Sequence, residues 1–435
     1  AGALAVSVLA LAAGCGEPDV PALMESARTA IAKKETETAR ISLKSVLQKQ
    51  PDNGEARFLL GQLMLDGGDV VGAEVELRRA LELQHPQAKV LPLLATAMLA
   101  QNKTGLLVQQ FGSAQLDDAA AQGRLQTTLA SAEAATGSLD AANARLATVL
   151  QAQPELVPAL LLRARLTAAR GDAAGALAQI EQLLARQADN TEAWMLKGDL
   201  LQRAKPGDKE QLALARAAYQ EAINRKADSV GAHVALIGMQ LAAGDDAAAT
   251  KQWEALSKAA PRHPQTLLFE ALLAQKRGDA KHAREVTQQL LRGAPNNAQV
   301  LMVAGEAEFK LNNLSQAETH FAKALQQLPD LVPARQQLAL VQLRGGQADK
   351  ALATLAPLLE RASPSVEVLT MAAQAQLLKG DTAGADASFA RAAKLKPDDP
   401  RVRIAVALSA LSKGKNPAAM NELRAVAAAD KGTTA

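Results

Sequence analysis

Pro261, Pro295, Pro329, Ser363 and Pro397 follow one another at intervals of 34 residues. A chain punctuated this way is a string of like units, each packing mainly on its neighbours, and not one central core. The same step joins Glu17 to Pro51 to His85, and Pro154 to Ala188. Two steps are longer. His85 to Ala120 is 35 residues, and Ala188 to Ala227 is 39, where KPGDKEQ (205–211) inserts proline, glycine and charge. The units are therefore 18–51, 52–85, 86–120, 121–154, 155–188, 189–227, 228–261, 262–295, 296–329, 330–363, 364–397 and 398–431, with a tail at 432–435.

Numbering each unit from three residues after its punctuation exposes a common interior. Position 8 is small, as in Gly61, Ala95, Ala130, Ala164, Gly198, Ala271, Gly305, Ala339, Ala373 and Ala407, which suits two helices in close approach. Position 15 is glycine at 68, 137, 171, 244, 278, 346, 380 and 414, and asparagine at 102 and 312. These residues tolerate the left-handed conformation that ends a helix. Position 20 is alanine in all but the 35-residue unit, whose second helix, Thr104 to Leu116, diverges. Between these marks apolar residues recur at helical spacing, as in Leu59, Leu60, Leu63 and Met64 followed by Ala73, Leu77, Ala80 and Leu81. Hydrophobic residues make up 48% of the chain but aromatics only 2%, so alanine and leucine carry the interior and the composition is all-helical.

Two antiparallel helices per 34 residues resemble the tetratricopeptide repeat (TPR), and the resemblance runs through essentially the whole chain after Pro18. It implies an all-α superhelical solenoid whose first helices line a concave surface. A closer likeness lies in LAAGC (11–15), QKQPDNGEARFLLGQLMLDGGDVVGAEVELRRALEL (48–83), VLPLLATAMLAQ (90–101) and TEAWMLKGDLLQ (191–202). These stretches are similar to the TPR lipoproteins of the bacterial PEP-CTERM and exosortase system, the PrsT family. That resemblance implies a role in exopolysaccharide production and protein sorting at the envelope. Members of that family are longer, which implies that this chain is an amino-terminal part of one. The last helix, Pro417 to Asp430, presents Met420, Leu423 and Val426 where a terminal repeat would be polar, so the expectation is that this face packs either on a partner or on further repeats.

Cys15 is the only cysteine, which excludes an intramolecular disulfide framework and any zinc site built on cysteines. It ends an uncharged apolar run, Ala1 to Gly14, shorter than the ~20 residues that span a bilayer. The run reads as a signal peptide without its basic amino-terminal region. Ala12-Ala13-Gly14-Cys15 then reads as a lipobox cut before Cys15, with 15–17 as lipidated cysteine and tether; Ala12 stands where leucine is commonest. One acyl chain gives marginal membrane binding, whereas three hold a protein durably. By resemblance to bacterial lipoproteins, Gly16 after the cysteine implies the periplasmic face of the outer membrane more than the inner one.

The 48 basic and 45 acidic residues are intermixed, so no positive field for nucleic acid arises. The histidines at 85, 233, 263, 282 and 320 form no HExxH motif and no pair at helical spacing, and neither a G-x-S-x-G nor a phosphate-binding loop occurs. The expectation is therefore no catalytic residue, no metal, no cofactor and no small-molecule substrate. Gly-Asp pairs such as Gly171-Asp172, Gly278-Asp279 and Gly380-Asp381 read as helix-turn residues and not as calcium ligands. Trp194 at position 4, and Tyr219, Trp253, Phe321 and Phe389 at position 24, read as core.

Partner binding belongs on the inner face, at positions 2, 5, 9 and 12 of the first helices. These positions select Phe58, Gln62, Met195, Asp199, Leu268, Leu272, Met302, Glu306, Phe309, Gln336 and Gln374. The set is apolar with glutamine, suited to a partner helix or extended polypeptide. No unit pairs lysine at position 5 with asparagine at position 9, so it departs from the carboxylate clamp of TPR chaperone adaptors. The sequence favours a lipid-anchored scaffold binding other proteins. It leaves open the non-catalytic portion of a larger enzyme, or a soluble cytosolic adaptor.

Overall fold

The computed structural model describes residues 19–430 apart from 205, 206, 413 and 415. Cys15 and the apolar run before it lie outside the described residues. Among the described residues there are 24 helices and no strand. They pair in tandem: α1 (Val20–Ala32) with α2 (Thr36–Lys49), α3 (Gly54–Asp66) with α4 (Val70–Glu82), α5 (Gln87–Ala100) with α6 (Thr104–Phe111), α7 (Ala119–Ala135) with α8 (Leu139–Ala152), α9 (Val157–Ala169) with α10 (Ala173–Arg186), and α11 (Thr191–Ala204) with α12 (Lys209–Arg225). Next come α13 (Val230–Ala242) with α14 (Asp246–Ala259), α15 (Pro264–Lys276) with α16 (Ala280–Gly293), α17 (Ala298–Lys310) with α18 (Leu314–Gln327), α19 (Val332–Arg344) with α20 (Ala348–Leu359), α21 (Val366–Leu378) with α22 (Thr382–Leu395), and α23 (Pro400–Ser412) with α24 (Pro417–Asp430). The pairs form two compact bodies, the first ending at Lys226 and the second beginning at Ala227.

The turn inside ten of the twelve pairs is built by one device. The residue at position 15 has positive φ at every glycine and asparagine named above, from 58° at Asn102 to 140° at Gly414. In the first turn Gly68 N–H donates to Leu65 O at 3.0 Å and Asp69 N–H to Met64 O at 2.8 Å, which occupies carbonyls the helix end would leave bare. The aspartate that follows is the next helix's N-cap. Asp69, Asp172, Asp279 and Asp381 each accept the backbone N–H three residues on, at 2.7 to 3.0 Å. The Gly-Asp carboxylates are thus committed to satisfying helix starts.

Position 8 is where the paired helices come closest. A Cβ added at Gly305 would stand 2.6 Å from Phe321 Cε1, and one at Gly198 2.5 Å from Tyr219 Cε1. Both rings are fully buried, so glycine on the first helix makes the space that the aromatic at position 24 fills. Trp253 does not follow this pattern. Its position 8 neighbour is Ile237, fully buried, and the indole is left half-buried with its N–H donating to Thr266 O at 3.1 Å. Trp194 is half-buried at the edge of the core, packed against the cluster of Leu161, Ile180 and Leu196, while its indole N–H donates to Ala188 O at 2.8 Å and the Arg225 guanidinium lies 5.0 Å from the ring.

Most apolar clusters join the second helix of one pair to the pair that follows. Leu77 of α4, Leu94 and Met98 of α5, Leu107 of α6, and Leu125 and Leu129 of α7 share one such core. The 35-residue unit departs most from expectation. Its second helix ends at Phe111 instead of Leu116, because Gly112 caps it and the chain turns away. α7 begins at Ala119, two residues before the expected start of its unit, because Asp118 caps it through Ala121 N–H. With α6 short, α5 packs directly on α7. At the other end Val426 is buried at 4% exposure and not presented, whereas Met420 is exposed.

Candidate functional site

First helices of successive pairs touch one another within each body: α3, α5, α7, α9 and α11 in the first, and α15, α17, α19, α21 and α23 in the second. Positions 9, 12 and 13 of those helices therefore form a continuous surface. In the second body they line a shallow, open groove of about 730 Å³ formed by Phe309, Leu340, Leu343, Arg344, Gln374, Leu377 and Leu378. Leu378 is 60% exposed, and on the adjoining α23 Leu408 is 51% exposed with Ile404 beside it on the same helix. A run of exposed and half-buried leucines on three neighbouring helices, with Phe309 on a fourth, is more than the scattered apolar exposure of an ordinary surface. The Arg344 guanidinium lies 5.0 Å from the Phe309 ring and makes no ion pair among the described residues.

Of the residues the sequence selected, the groove brings together Phe309 and Gln374. Met302, Glu306 and Gln336 are half-buried on the same helices. Burial raises the Glu306 carboxyl above its ordinary pKa, with Lys310 opposing. Leu268 is corrected: at 3% exposure it is core, packed with Ala271, Val286 and Val300. Leu272 is half-buried against the same cluster. In the first body Phe58 stacks on His85 with ring centroids 4.7 Å apart and lines a cleft of about 420 Å³ with Pro92 and Leu93. Gln62 and Met195 are half-buried. Asp199 edges a cleft of about 450 Å³, but its carboxylate accepts the Tyr219 hydroxyl at 2.7 Å. Burial and this carboxylate push the Tyr219 phenol well above its usual pKa, so the pair acts as a structural bond.

The sequence reading missed Leu340, Leu343 and Leu377, although they occupy positions 9 and 12, and it missed Arg344 and Leu378 at position 13. The signal was present in those columns: leucine recurs at 340, 343, 377, 378 and 408, whereas the first body has leucine there only at 65 and 99.

Paired antiparallel helices stacked in register, with the inner layer made of the first helices, define a helical-repeat protein of the kind that binds other polypeptides. Tetratricopeptide-repeat family models match residues 19–101, and 161–205, 270–332 and 337–400, together more than half of the chain. The chain belongs to the tetratricopeptide-repeat family. Solved structures similar to it include a tetratricopeptide repeat protein from Parabacteroides merdae ATCC 43184, 14% identical over 57% of this chain and 97% of that one, with a TM-score of 0.44. Pseudomonas aeruginosa PilF is 16% identical over 50% and 97%, with a TM-score of 0.43. A thermophilic TPR protein from Thermus thermophilus is 27% identical over 41% and 97%, with a TM-score of 0.35. No curated protein matches the chain.

Proposed function

We propose that the protein is a non-catalytic scaffold, held on a bacterial envelope membrane by lipid on Cys15, whose second body grips a partner polypeptide. The observation that carries the binding part is the groove of Phe309, Leu340, Leu343, Leu377 and Leu378, with Leu408 exposed on the next helix. An apolar strip across neighbouring helices suits the apolar face of a helix or the alternate side chains of an extended segment. The likeness to the PrsT family supports an assembly for PEP-CTERM sorting or exopolysaccharide export as the setting. The anchor rests on the run from Leu11 to Cys15, and the outer membrane on Gly16.

Two measurements test this reading. Metabolic labelling with a fatty acid should mark the wild-type protein and not Cys15→Ser; equal labelling removes the anchor. A photo-crosslinking side chain at Gln374 should form adducts with envelope proteins encoded beside an exosortase or a polysaccharide exporter. The same adducts formed as readily from Val75, exposed on the second helix α4, would remove the groove from the proposal.

A further inference from the structure

Position 7 of the first helix packs into the interior of most pairs, though Ser26 and Val406 are exposed there. It is leucine at 60, 94, 129, 236 and 338, each no more than 7% exposed. Four units place a polar side chain there instead. Three of these have a protein partner: Ser26 meets Ser42 at 3.3 Å, Lys197 pairs with Glu181 at 2.9 Å, and Glu270 meets His282 at 2.8 Å. The fourth, Arg163 on α9, has no side-chain partner among the described residues. Its Nε is shielded from solvent and no acceptor among those residues reaches it. Polar hydrogens buried in this way are costly, which makes an orphaned guanidinium nitrogen at a leucine position an anomaly that calls for an acceptor.

Arg163 lines a cleft of about 210 Å³ between α9 and α10. Arg186 lines the same cleft and makes no ion pair among the described residues. Three amides, Gln179, Gln182 and Gln187, line it too, and Gln179 donates to the Thr167 hydroxyl at 3.2 Å. One carboxylate, Glu155, stands exposed among the lining residues, so two guanidinium groups face a single acid.

We propose that this cleft is an oxyanion site, separate from the polypeptide groove, in which Arg163 and Arg186 hold a carboxylate or phosphate group. Guanidinium groups match both geometries by parallel N–H donors, and the glutamine amides supply further donors. The volume admits a small anion or the charged end of a larger molecule, such as a polypeptide carboxyl terminus or an acidic sugar, and excludes a folded partner.

The test is calorimetric titration of the full chain with sodium acetate and, separately, inorganic phosphate, at constant ionic strength against sodium chloride. Wild-type protein should bind at least one saturably; acetate alone assigns a carboxylate, phosphate alone a phosphate. Arg163→Leu restores the residue other units carry, so it should keep the helical circular dichroism while binding falls roughly tenfold or more, the loss expected for a charged hydrogen bond. Arg186→Gln changes an exposed residue and should weaken binding in the same assay. Absence of saturable binding by either anion overturns the proposal. So does undiminished binding in Arg163→Leu, or in Arg186→Gln should the leucine variant fail to fold.

Discussion

Glu306 lies half-buried on α17, one turn before Phe309, and makes no ion pair among the described residues. Burial holds its pKa above the ordinary 4.5, and Lys310 only partly offsets this. The sign follows from linkage: the folded state binds the proton more tightly than the unfolded state. Stability from this group is therefore complete below the unfolded value near 4.5 and is lost as pH rises through the higher folded value. Glu306→Gln should be more stable than wild type at pH 7, by on the order of 1 kcal/mol, because it removes a partly buried charge without a partner. Urea denaturation at pH 4 and pH 7 checks it, and a variant that keeps the wild-type pH slope would place the slope on another group.

Two helix pairs are set by complementary volumes, Gly198 against the Tyr219 ring and Gly305 against the Phe321 ring. Gly305→Ala drives a methyl into Phe321, which costs about 1–3 kcal/mol of overpacking. The alanine returns up to about 1 kcal/mol in helix propensity, so net loss is the expectation. Adding Phe321→Leu should recover part of it, as Ala339 with Leu355, and Ala130 with Leu146, pack as buried alanine and leucine at these two positions. Hydrogen exchange in α17 and α18 reads both effects; a Gly305→Ala protein with unchanged protection would show that the ring can shift freely. This pairing was only half legible in the sequence. Small residues at position 8 announced close approach, but their partners 16 or more residues on come together only once both helices are laid side by side. Glycines at position 15 were legible because a left-handed turn demands them, yet Lys34 takes the same conformation, with φ of 59°, and its residue type gives no sign of it. The early end of α6 at Gly112 was hidden for the opposite reason: Leu116 continues the apolar pattern, while Gly112 and Ser113 break the helix within it. In the site, columns chosen by position found Phe309 and Gln374, but they also admitted Leu268, since position alone does not separate a rim residue from one the next repeat covers.

In a stacked array each repeat is stabilised by itself and its neighbours, so a surface change in one groove position leaves the rest of the array intact. This separates binding from folding here more cleanly than in a single-core domain. Leu378 and Leu408 are 60% and 51% exposed on first helices that touch, and neither belongs to a buried cluster. Leu378→Asp with Leu408→Asp should therefore shift stability by no more than about 0.5 kcal/mol per site, the range of ordinary surface substitutions. The same changes put two carboxylates into the apolar strip, where a partner's apolar side chains would have to desolvate them with one cation, Arg344, among the lining residues. Crosslinking from Gln374 should then fall by roughly tenfold or more, while the thermal melt by circular dichroism stays within a few degrees of wild type. Leu268→Asp is the contrasting variant: it buries a charge among Ala271, Val286 and Val300, and it should lower the melt before it affects any contact with a partner. Unchanged crosslinking in the double variant, with the melt preserved, would mean that the partner is held elsewhere and that the exposed leucines serve another surface.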